Sequence, residues 1–286
     1  MCGKVLVAHK TEPAATNHAP PPTTSAPPPV PLPAAPIFPS ERPAPLLPAP
    51  FDRVPAPFLH LGAGAIVAFL LHWATCGIFE MGSHCLFHEG GGHAVAAWFL
   101  ATPALPKITI TQWTEEPKPA LFVLIWLAIG AAAWRLREKR WLAGSLGAAA
   151  VIYPFLVFTG ARFALICAGG HLGEIGWAAF FFYRALRGGA FAEAERPLYA
   201  ALAWPLWIQN VTFFFRLATS AKWREAYETI YLNEGVPNDF IQLQTATGIH
   251  LVTSAAVMLL LAIVVPPTGI WLGYRDSRGP MEPKGD

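Results

Sequence analysis

Ten consecutive residues carry the densest set of reactive side chains in this chain: His84-Cys85-Leu86-Phe87-His88-Glu89-Gly90-Gly91-Gly92-His93. Three imidazoles and a carboxylate are the donor types that bind a transition-metal ion and the base type that takes a proton from water. Their surroundings make them expensive to keep. Only 13% of the chain is charged, and the apolar run 94–100 follows at once. An ionisable group in a bilayer costs about 2.5–3.5 kcal/mol on insertion scales, so such groups inside apolar runs are expected to be functional. Two other places meet that test: Gly169-Gly170-His171-Leu172-Gly173-Glu174, within an apolar run, and Asn238-Asp239-Phe240, just before the last one.

His88-Glu89 followed by His93 resembles the HExxH zinc signature, in which two histidines four apart share a helix face and the glutamate acts as general base. Here the histidines are five apart, roughly 140° around a regular α-helix. Two arrangements reconcile the spacing. A π-bulge at the glycine triplet would absorb one residue and realign the rings. Alternatively His88 precedes the helix, leaving His84 with His88, or Glu89 with His93, at i,i+4 spacing. A polar hairpin without metal is the plain structural alternative.

The elements that must position these groups are membrane helices. The chain is 54% hydrophobic, and that hydropathy falls in runs of about 20 residues, as bilayer-spanning helices require. A net charge of +2, scattered between apolar runs, excludes nucleic acid as a partner and leaves the lipid bilayer. Four cysteines without paired spacing exclude a disulfide framework and a cysteine-based zinc site. The expected fold is all-α, a polytopic transmembrane helix bundle of six or seven helices over 58–275. A disordered Pro-rich tail, 1–57, precedes it and a polar tail, 276–286, follows. Helices are expected at 58–78, 121–134, 141–158, 163–183, 198–217 (interrupted by Pro205) and 250–272. A short re-entrant helix is expected at 91–100 and a strand at 107–113. Basic clusters at 135–140, 184–187 and 275–278 fall on one side if each intervening helix crosses, and the positive-inside rule makes that side cytoplasmic. The default location is a bacterial inner (cell) membrane.

Residues 88–98, His-Glu-Gly-Gly-Gly-His-Ala-Val-Ala-Ala-Trp, resemble the zinc helix of the intramembrane site-2 protease family, particularly its smaller bacterial relatives. There HExGH is followed by small and apolar residues, then by a short β-like segment, which 107–113 resembles. A later Gly-rich helix lines the site, and Gly169 to Glu174 could correspond to it. The family's third zinc ligand is an aspartate near the start of a late helix. Asp239 is the only aspartate between Asp52 and Asp276 and alone could fill that role. The resemblance covers roughly 84–255 and implies Zn²⁺ on His88, His93 and Asp239, with Glu89 as the catalytic base. His171 or Glu174 would orient a ligand from behind. The implied substrate is an unwound membrane segment of another protein.

Two rival readings keep the same residues. His84, His88, His93 and His171 with Glu89 and Glu174 could hold one or two iron or copper ions in a membrane oxidoreductase. A non-catalytic scaffold, or a relative that binds membrane segments without cutting them, would explain the extra glycine. Haem ligation by His72, His171 or His250 is possible by residue type, with no spacing that supports it.

Overall fold

A computed structural model describes residues 56–75, 77–107, 110–188, 195–234 and 238–277, all within one compact unit, Leu47–Asp286. The expected tail up to residue 55, and residues 278–286, lie outside them. The described chain is helical apart from one two-stranded hairpin. Among the described residues three helices are long and apolar enough to cross a bilayer, α5 (Arg140–Phe158), α6 (Ala161–Arg187) and α10 (Leu251–Ser277), which marks a membrane protein. The apolar helices α1 (Ala56–Ala74) and α4 (Pro119–Arg135) are shorter.

Several boundaries differ from the sequence expectation for identifiable reasons. α1 stops at Ala74 because Gly77 adopts a left-handed φ of 81°, and a new helix starts at Ile78. The helix carrying the histidines is longer than 91–100. α2 (Ile78–Cys85), a π-helix (Leu86–Ala94) and α3 (Val95–Phe99) join end to end through residues of right-handed helical conformation. The single strand expected at 107–113 is a hairpin, β1 (Ala104–Pro106) antiparallel to β2 (Thr111–Trp113), with Leu105 opposite Gln112. Pro106 needs no donor at a sheet edge, so proline did not exclude a strand there. Pro205 lies inside α7 (Glu195–Thr219) without ending it. The polar stretch 218–247 forms α8 (Ala221–Glu234) and α9 (Asp239–Thr247).

α6 is the central element, packed against α10, α7, the π-helix, α9, α1 and α5. α4 and α5 run antiparallel: Phe122 stacks on Tyr153 at 5.4 Å, and the Trp126 indole donates to Ala150 O at 2.9 Å. Arg162, at the start of α6, donates to Glu115 O at 2.6 Å, placing the loop that follows β2 at that end. At the other end Arg187 donates to the Tyr183 hydroxyl, which donates to Asp276 Oδ2 at 3.1 Å. Arg135–Arg140, Arg184, Arg187 and Arg275 therefore share one end of the helix array.

Candidate metal centre

The π-helix brings the mis-spaced histidines together. Its i→i+5 bonding stacks residues five apart, so His88 and His93 share a face. Two of its carbonyls are held from outside: Thr111 Oγ1 donates to Glu89 O at 2.9 Å and Trp177 Nε1 donates to Gly91 O at 3.2 Å. Close approach to α6 depends on glycine from both sides. A Cβ on Gly92 would lie 2.6 Å from the carbonyl oxygens of Gly169 and Gly170. One on Gly170 would lie 2.5 Å from His93 Nε2 and 2.6 Å from His88 Nε2.

Asp239, in the first turn of α9, reaches the same point. His88 Nε2 is 3.0 Å from Asp239 Oδ2, His93 Nε2 is 3.1 Å from the same oxygen, and the two nitrogens are 3.2 Å apart. Zinc bonds of 2.0–2.1 Å in tetrahedral array imply a donor separation of about 3.3–3.4 Å. The triangle is slightly tighter, and the donor set fits such an ion. His93 Nδ1 lies 2.7 Å from Ile166 O, an acceptor, so a proton stays on Nδ1, and Nε2 is the nitrogen that would offer its lone pair to a metal once the proton it shares with Asp239 is released. Burial pushes the Asp239 carboxyl up, but hydrogen bonds from His88 and His93 reverse this and hold it well below the ordinary carboxylate range. It is anionic, as a metal ligand must be.

A second polar layer lies behind His88. Glu174, 1% exposed, pairs with His84 Nδ1 through Oε1. Its Oε2 accepts from Asn210 Nδ2 and from His171 Nδ1, both at 3.1 Å. The His171 ring is enclosed by Phe213, Phe214 and Phe240 at 4.9–5.4 Å. His88 Nδ1 is 3.3 Å from Glu174 Oε2, yet off the angle of a hydrogen bond. The residues thus form two buried groups able to hold a metal ion, His88 with His93 and Asp239, and His84 with His88 and Glu174.

Glu89 accepts from Thr111 Oγ1 at 2.8 Å and lines a cavity of about 300 Å³ with His84, His88, His171, Glu174 and Asp239. The cavity lining thus holds every candidate of the proposed metal sites except His93, which joins it through His88 and Asp239, while His72 lines a different cavity. Sequence reasoning did not assign Thr111, Asn210 or Tyr227, which share this neighbourhood. Asn210 carried a signal, as an amide amid the apolar residues of α7. Thr111 and Tyr227 carried none, since each reaches the site only through tertiary contact. A second cavity of about 830 Å³ between α1, α7 and α8 shares Gln209 and Phe213 with the first. No protein-family model, curated protein or solved structure matches the chain.

Proposed function

We propose that the chain is a membrane-embedded zinc metalloprotease of the site-2 type, hydrolysing peptide bonds in or near membrane segments of substrate proteins. The observation that carries this reading is the convergence of His88 Nε2, His93 Nε2 and Asp239 Oδ2 within 3.2 Å of one another, beside Glu89. These residues would hold the zinc ion. When bound, zinc lowers the pKa of a coordinated water toward about 7 and polarises a carbonyl.

The protein's own groups do the rest. The Glu89 carboxylate takes the proton of the attacking water and returns it to the leaving nitrogen. Thr111 Oγ1 donates to Glu89 Oε2 and fixes its orientation. Ile166 O fixes the His93 tautomer. Gln209, Asn210, Tyr227 and Asn238 give the cavity a polar lining through which water reaches the site. The substrate segment enters unwound, because a helix hides its carbonyls.

In this reading α1, α4 and α7 cross the bilayer together with α5, α6 and α10, and the arginine-bearing end faces the cytoplasm of a bacterial inner membrane. The start of α1 lies on that same side, since Phe58 packs on Tyr274, 4.9 Å away, beside Arg275. The test is Glu89→Gln in zinc-loaded protein given a membrane-segment substrate. Hydrolysis falls by about 10²–10⁴-fold with zinc retained; undiminished hydrolysis would sink the assignment.

A further inference from the structure

His88 is 6% exposed and has a carboxylate at each of its two nitrogens: Asp239 at 3.0 Å from Nε2 and Glu174 at 3.3 Å from Nδ1. The Nε2 side belongs to the centre described above. The Nδ1 side is unexplained, because that buried nitrogen finds no hydrogen-bond partner among the described residues. A buried polar atom left unpaired is destabilising, and this one has the Glu174 carboxylate at 3.3 Å and the His84 ring stacked on its own.

We propose a second cation site there, on His84 Nδ1, His88 Nδ1 and the Glu174 carboxylate, so that the His88 ring bridges two metal positions. The three donors lie within 4.8 Å of one another. His84 and His88 are four residues apart at the junction of α2 and the π-helix, and their rings stack at 4.6 Å, which turns both toward α6. Glu174 is an almost fully enclosed carboxylate whose partners among the described residues are three histidines and an amide, with no lysine or arginine. A cation supplies the positive charge that this carboxylate otherwise lacks.

His171 is not a donor to this site. Its Nδ1 proton is directed at Asn210 Oδ1 and Glu174 Oε2, both 3.1 Å away, while Asn210 spends its amide protons on Glu174 Oε2 and Leu206 O. That network holds the Glu174 carboxylate in place. Two imidazole nitrogens and a carboxylate suit a divalent first-row transition ion, zinc included. With an ion on each side, the His88 ring gives up its remaining proton to the cavity, as metal binding to protonated ligands requires.

The inference shares His88 with the proposed protease centre but does not depend on the reaction there. The experiment is zinc content of the full chain in detergent, stripped with chelator, reloaded and desalted. Wild type is expected to retain about two ions per chain, one for each of the two donor groups that share His88. His84→Ala and Glu174→Gln are each expected to lose one ion and keep the other. Retention of the remaining ion shows that the variant is folded, and His84, the more exposed of the two, guards against a misfolded Glu174 variant. Asp239→Ala is expected to lose only the other ion, and His88→Ala to lose both. One ion per chain in wild type, unchanged in His84→Ala and Glu174→Gln, would overturn the second site and make Glu174 a positioning residue for His88. Two ions with no peptide hydrolysis would leave this inference standing and remove the protease reading.

Discussion

α5 is the more apolar of two adjoining helices and α6 the more enclosed: 11% of the apolar stretch of α5 is buried by protein, against 61% of that of α6. In a water-soluble protein this order would be reversed. Lipid tails are as apolar as leucine, so apolarity gives a helix no reason to face its neighbours, while small residues and polar groups do. α5 turns Val151, Ile152 and Phe155 outward. α6 turns Gly169, Gly170, His171, Gly173 and Glu174 toward the π-helix and α7. Composition thus separates a lipid-facing hairpin, α4–α5, from an interior built around the candidate metal centre.

Substitutions can break or sharpen that contrast. The largest effect is expected from Gly92→Ala, whose Cβ meets rigid backbone of α6 at 2.6 Å. A loss of about 3 kcal/mol or more in stability, measured by thermal denaturation in detergent, should accompany loss of bound metal. Next comes Asp239→Ala. Removing an outer partner of a metal ligand already costs about 10–100-fold in affinity, so removal of a ligand should exceed the top of that range in a zinc competition titration. Thr111→Val deletes the hydroxyl whose single proton is shared between Glu89 O and Oε2, a contact worth about 1 kcal/mol, and should slow hydrolysis about fivefold without altering metal content. The smallest change belongs to the lipid-facing helix. Gly144→Ala and Gly147→Ala meet nothing within 4 Å, so they should be neutral or raise stability by up to about 1 kcal/mol. A destabilisation there comparable to that of Gly92→Ala would end the distinction.

Much of this arrangement was legible in the sequence, for reasons that differ by region. Residues 141–158, 163–183 and 250–272 were recognisable because long apolar runs have few other uses, and α5, α6 and α10 contain or nearly match them. The π-bulge was legible because histidines five apart with glycines between have few ways to share a face. Asp239 stood out by isolation. The hairpin is only half legible: the alternation of 107–113 marks extended chain, but Pro106 conceals β1, because only an edge position makes its missing donor harmless. α1 is shorter than its apolar run implies, because nothing in the residues before Gly77 foretells that glycine's positive φ. Thr111 and Tyr227 stayed hidden because a hydroxyl in a polar stretch looks the same whether it faces water or a buried carboxylate.

The π-helix also keeps everything that follows it in step. Because its i→i+5 bonding absorbs one residue locally, the chain leaves it with the phase of a helix of four-residue histidine spacing. α3 accordingly enters with Ala97, four residues after His93, fully enclosed and with Val95 and Trp98 outward. Removing one glycine would regularise the ligand turn and leave the Ala97 side of α3 facing the core. The irregular turn therefore acts as slack taken up in place, which confines the extra residue to the ligand geometry and keeps it silent in the packing downstream.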